Sequence, residues 1–143
     1  MAQKDSRRLS TVLPYLYPNL VNDKGLGDGD YHLQNDGNGT YVVWNNTEIP
    51  KPTDEELANA KEAAVDVDWW RMLRLTRDRL LVASDWSQGA DVPSDLKSSY
   101  VTYRNDLRNL PTTVIKSDFE TLNNQSINEW NIDSLMPTKP EDN

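Results

Sequence analysis

His32 is the single histidine of the chain, and a histidine among carboxylates is the group that exchanges protons near neutral pH or ligates a metal. Asp23, Asp28, Asp30 and Asp36 lie around it in sequence, interleaved with Gly25, Gly27, Gly29, Gly37 and Gly39. Such a set would offer acid–base chemistry at His32, or oxygen ligands on turning backbone for calcium. The spacing argues against both. There is no second imidazole and no cysteine from which to build a triad or a zinc site, and the carboxylates do not follow an EF-hand loop. Gly25-Leu26-Gly27-Asp28-Gly29 follows no strand, lacks the Gly-Lys-Ser/Thr of a phosphate loop, and carries an aspartate that would repel phosphate. Asp66 and Asp68, two apart on a helix, point roughly 200° away from each other and cannot share a proton. Turn formation accounts for the Gly and Asp residues. The expectation is therefore no catalytic residue, no cofactor, no metal and no small-molecule substrate. The rival reading is a small enzyme or ligand-binding domain seeded by His32 beside Asp28, Asp30 and Asp36.

A different set of residues suits contact with another protein. Trp and Tyr total eleven against one Phe, and rings with one polar end favour half-buried positions and interfaces. Trp69 and Trp70 are adjacent on a helix, about 100° apart, so both rings cannot enter one narrow core stripe. Trp86, Arg104, Arg108, Phe119 and Trp130 complete the candidate partner-binding set. Arg74, Arg77, Arg104 and Arg108 are expected to pair with Asp85, Asp91 and Asp106.

Charge narrows the class of partner. The 143 residues carry a formal charge of -8 with a pI of about 4.5, which repels phosphate backbones and argues against nucleic acid as a ligand. That acidity leaves an anti-host or DNA-mimic protein as a third reading. No window approaches the roughly 20 apolar residues of a membrane span. Pro14 and Pro18 break the apolar run after Arg7 and Arg8, so the amino terminus reads as mature sequence, and absence of cysteine fits synthesis inside a cell.

The elements that position these residues are legible in the pattern. Residues 1–30 read as an irregular arm with one short helical turn near 9–13. Two β-prone runs, 31–34 and 40–44, flank a loop rich in Asn, Asp and Gly, the mark of a β-hairpin. After the stiff Ile49-Pro50-Lys51-Pro52 connector, Thr53 with Glu56 forms a capping box. It opens a helix over 54–83, roughly 45 Å long at 1.5 Å per residue. Its inward stripe is expected at Leu57, Ala60, Ala64, Val67, Trp70, Leu73, Leu80 and Leu81. Residues 85–93 turn the chain, with Trp86 plugging the bend. Leu96, Tyr100, Tyr103, Leu107 and Leu110 then recur on one face of a second helix that Pro111 stops. The fold class expected is α+β: an arm (1–30), a β-hairpin with its Pro connector (31–50), an antiparallel two-helix hairpin (53–111) and a carboxy-terminal arm (112–143).

Over residues 49–112 the chain resembles the bacteriophage tail assembly chaperone family. The carrying residues are Pro52-Thr53 with Glu55-Glu56-Leu57, Arg77-Asp78-Arg79-Leu80-Leu81, Ser84-Asp85-Trp86-Ser87-Gln88, Asp91 with Pro93, and Tyr103 through Pro111. The resemblance implies help in assembling a tail or its fibres by protein contact, without nucleotide or metal, in the host cytoplasm. The partners implied are tail, tail-fibre or baseplate proteins, met as a transient chaperone or as a permanent component of the virion tail; the apolar residues of the terminal arms favour the second, because irregular segments gain order most readily on a partner surface. The first thirty residues match nothing in that family, and some thirty follow its usual Leu-Pro ending.

Overall fold

The computed structural model describes residues 7–23 and 26–140, and the chain divides into two compact units, Met1–Asp68 and Trp69–Asn143. The Gly25 of the glycine-rich run lies outside the described residues.

In the first unit β1 (Tyr31–Asn35) and β2 (Thr40–Trp44) pair antiparallel, with Tyr31 opposite Trp44 and Leu33 opposite Val42. Asn35 pairs with Thr40, so the loop is one residue tighter than the pattern suggested. Gly37 and Gly39 adopt φ of +107° and +104° there, and the Asn35 side chain accepts the Gly37 amide at 2.8 Å, a side-chain turn that the Asn-Asp-Gly run favours. Period two puts Tyr31, Leu33, Val42 and Trp44 on one face, where Tyr31 stacks on Trp44 at 5.9 Å.

That face is closed by more order than residues 1–30 suggested. Helix α1 (Leu9–Leu16) includes Pro14 and buries Leu9, Val12 and Leu13 completely. Spaced at three and four, these residues share one side of the helix. They pack in one cluster with Tyr31, Val42, Leu57 and Ala64. The chain at 21–23 also runs beside the start of β1, with Asp23 N donating to Tyr31 O and Asp30 N to Val21 O, both at 2.8 Å. Gly29 permits that approach, because a Cβ there would sit 2.7 Å from Asp23 Cβ and 2.8 Å from Val21 O.

Helix α2 (Asp54–Ala83) begins where the capping box places it. Glu56 N donates to Thr53 Oγ1 at 3.1 Å, and Thr53 N donates back to Glu56 Oε1 at 3.3 Å. Its register departs from expectation. Val65 and Trp69 are buried, whereas Val67 is 52% exposed and Trp70 half-buried. Both stripes are apolar in sequence; the structure takes the ridge Val65, Trp69, Leu73 at steps of four over the one through Val67, Trp70 and Leu73 at steps of three.

In the second unit a 3₁₀ turn (Asp85–Gln88) leads to α3 (Ser94–Thr113). Tyr100, Tyr103, Leu107 and Leu110 are buried on the expected face. Leu80, Leu81, Leu96 and Met136 pack against Tyr100, Tyr103 and Leu107, closing the helical hairpin. Pro111 does not stop α3. The Thr112 hydroxyl donates to Asn109 O at 2.7 Å, and Val114 N reaches Leu110 O at 2.9 Å, so the last turn is completed despite the amide that proline lacks. Beyond it come α4 (Phe119–Asn123) and two 3₁₀ turns, Ile127–Trp130 and Ile132–Leu135. Leu122, Trp130 and Ile132 are buried, and Trp130 Nε1 donates to Leu122 O at 2.9 Å.

Candidate functional site

The bend of the helical hairpin is built around the exposed carbonyls at the end of α2, which need donors and favour positive charge. The last turn of α2 holds no basic residue. Arg104 of α3 supplies the charge instead: its Nη1 donates to Leu81 O at 2.6 Å and to Ser84 Oγ at 2.7 Å, and its Nη2 to Asp85 Oδ1 at 2.8 Å. Ser84 Oγ itself reaches Leu80 O at 2.8 Å. The fully buried Ser87 donates to Ser84 O at 2.6 Å and accepts from Gln88 Nε2 at 2.9 Å. Together these contacts clasp α3 to the end of α2, and the forked, always-charged guanidinium suits an arrangement with three acceptors.

Trp86 is not the plug the sequence suggested. Its ring stands edge-on against Tyr100, centroids 5.1 Å apart, and remains 48% exposed. Serine fills the bend because small hydroxyls can enter between the backbone carbonyls, while the indole is left on the outside.

The other contact candidates separate by burial. Trp69, Arg104 and Trp130 are interior. Trp70 is half-buried, with Trp69 edge-on at 4.9 Å and the Arg74 guanidinium 5.8 Å from its ring centre. Phe119 is half-buried, and Arg108 is exposed with Nη1 on Asn105 Oδ1 at 3.2 Å. Of the expected ion pairs the structure shows Arg104 with Asp85, whereas Arg77 pairs with its neighbour Asp78 at 3.0 Å.

Sequence reasoning missed a depression of about 210 Å³ lined by Met72, Thr76 and Arg79 of α2 and by Ile127, Asn131, Ile132 and Asp133. Arg79 Nη2 and Asp133 Oδ1 bridge its rim at 3.1 Å. The recurrence of Met72, Thr76 and Arg79 on one side of α2 was the signal available; the irregular segment that meets it gave none.

His32 sits in the first unit. Its Nδ1 lies 3.2 Å from Oδ1 of the buried Asp23, and its Nε2 is 3.2 Å from Gln34 Oε1. Gln34 in turn donates to Asp36, which also accepts the Tyr41 hydroxyl. The ring is thus held by the hairpin at Nε2, while Nδ1 lies beside the Asp23 carboxylate, buried and without a hydrogen-bond partner. Asp30 instead accepts Val21 N at 2.8 Å and Asn46 Nδ2 at 3.0 Å. Among the described residues no group of three His, Cys, Asp or Glu is arranged to hold a metal ion.

Residues 70–130 match the family model described as phage tail assembly chaperone protein. Over that segment the chain is similar to the phage tail assembly chaperone family. Residues 9–68 match a second model, described as XkdW protein, so the amino-terminal segment also has relatives. The phage-like element PBSX protein XkdW of Bacillus subtilis (strain 168) is 29% identical over 119 residues, covering 78% of this chain and 96% of that protein. No solved structure matches the chain. The two family matches meet where the two structural units do, at 68–70. The chaperone match begins later than the resemblance at 49–112 and runs on to Trp130, through the segment that buries Leu122. These matches support a role in phage tail assembly.

The motifs that carried the resemblance now have physical roles. Asp85, Ser87 and Gln88 with Arg104 make the clasp, and Tyr103, Leu107 and Leu110 make the core of α3. They hold a shape. Of these motif positions Trp86 is the large apolar side chain left half outside it.

Proposed function

We propose that this protein binds another phage tail, tail-fibre or baseplate protein through its helical hairpin, as a non-enzymatic assembly chaperone acting in the host cytoplasm. The observation that carries this reading is Trp86, held edge-on by Tyr100 beside a buried clasp yet 48% exposed. An indole fixed in orientation and open on one side loses little rotamer freedom when a partner covers it, which is how aromatic anchors dominate protein interfaces. Arg108, Trp70 and Phe119 extend the candidate surface. The carboxy-terminal segment buries Leu122, Trp130 and Ile132 within its own chain, so it needs no permanent partner to cover them; this favours a transient chaperone over a retained virion component.

Co-purification with the neighbouring tail proteins tests the reading. A tail protein is expected to accompany the wild type and to be lost or weakened with Trp86→Ala at unchanged helix content. No associated tail protein would refute it. Mass spectrometry of purified virions separates the two variants, since presence of this chain in the mature tail would overturn the transient one.

A further inference from the structure

The outer flank of α2 within the second unit is apolar where solvent would favour polar residues. Leu75 is 52% and Val82 is 70% exposed. They are seven residues apart, hence on one side of the helix and roughly 10 Å apart along its axis. Beside them Met72, Thr76 and Arg79 face Ile127 and Ile132 across the depression of about 210 Å³. This volume is of the order of one aliphatic or aromatic side chain, with methionine and isoleucine on opposite walls.

The charge around it selects the partner. Arg71 and Arg79 stand four residues before and after Leu75, on its side of α2, whereas Arg77, two residues on, points to the opposite side and pairs with Asp78. Arg79 is paired with Asp133, but the two side chains are 69% and 77% exposed, and such a pair is worth little and exchanges readily. A carboxylate arriving at the rim can take the place of Asp133. Among the described residues the second unit has no strand, so an added β-strand has no edge on which to pair. Apolar groups repeating every seven residues match the repeat of another helix.

We infer that this flank is a docking groove for an acidic amphipathic helix of the partner, one apolar side chain entering the depression and others covering Leu75 and Val82. The inference rests on the partner-binding reading above and assigns it a surface and a chemistry.

The probe is a fluorescein-labelled helical peptide of about fourteen residues, with leucines at i, i+4 and i+7 and glutamates between. It is titrated against the full chain by anisotropy. The same peptide with lysine for glutamate is expected to bind at least about tenfold more weakly. Leu75→Glu, Val82→Glu and Arg79→Gln should each weaken the acidic peptide by about tenfold or more, at circular dichroism and melting temperature like those of the wild type. Ile115→Glu, on an 88% exposed residue outside α2, should leave binding unchanged. Failure of the acidic peptide to bind, equal binding of both peptides, or indifference to all three α2 substitutions would overturn the inference. Tail-protein co-purification that survives Leu75→Glu and Val82→Glu would remove this surface while leaving the partner-binding reading standing. No co-purification with the wild type would remove that reading itself, whatever the peptides do.

Discussion

Arg104 shows how a residue that reads as a contact point on the surface can be an internal fastening. Its guanidinium is buried and answers the Leu81 carbonyl, the Ser84 hydroxyl and the Asp85 carboxylate at once. Arg104→Met keeps much of the stem but leaves those acceptors without their donors. Because hydrogen bonds to charged groups each contribute about 1.5–3 kcal/mol, and Asp85 is largely exposed, a loss of about 2–3 kcal/mol in urea unfolding is expected. Arg104→Lys should restore little, since an ammonium cannot span three acceptors in the plane of a fork. The sequence showed an Asp–Arg pair here but not the carbonyl beneath it, because backbone acceptors have no letter in the alphabet. The same holds for His32 and Asp23, nine residues apart, which meet because Gly29 lets two backbone segments touch.

Three aspartates give stability a pH dependence of known sign. Asp30 is held below the usual carboxylate range by the Val21 amide and then by Asn46; Asp36 by the Tyr41 hydroxyl and then by Gln34; Asp118 by the Thr121 amide. A carboxylate whose folded pKa is depressed stabilises the fold above its unfolded value, near 3.9, and that contribution disappears as pH falls through the lower folded value. Unfolding free energy should therefore decline as pH drops below about 4. In Asp30→Asn and Asp36→Asn the decline should be shallower, as measured by denaturant unfolding between neutral and acidic pH.

For the elements, start signals were legible and register was not. The Thr53–Glu56 box fixed the start of α2 because capping is a local exchange of hydrogen bonds between residues three apart. Which side of α2 faces inward depends on what lies opposite, and Val67 with Trp70 offered as apolar a stripe as Val65 with Trp69. Burial separates the two by experiment. Val65→Ala creates a cavity and should cost on the order of 1–3 kcal/mol, whereas Val67→Ala, at a 52% exposed site, should remain within about 0.5 kcal/mol. On α3 the four- and three-residue spacing leaves a single candidate face, and that face is buried. Leu107→Ala should cost about 2–5 kcal/mol. Equal effects at Val65 and Val67 in thermal unfolding would contradict the observed register.

At the scale of the whole molecule, a buried cluster lies in each of the two units. Leu9, Val12, Leu13, Tyr31, Val42, Leu57 and Ala64 form one cluster, and Tyr100, Tyr103 and Leu107 form another. The two family matches divide in the same place. This division was not visible in the pattern, because α2 runs through it as an uninterrupted helix and a continuous hydrogen-bond ladder leaves no linker composition to read. Its consequence is visible in exchange. Proteins open in cooperative pieces set by their packed cores, so a cavity in one core should raise exchange first in the amides that core protects. Leu107→Ala is expected to deprotect α3 and residues 69–83 while α1 and the β-hairpin retain wild-type protection; Leu13→Ala should do the reverse. Hydrogen exchange followed by mass spectrometry resolves these segments. Equal loss of protection along the chain in both variants would mean that the two cores open as one, and the coincidence of family matches with structural units would then have no counterpart in folding.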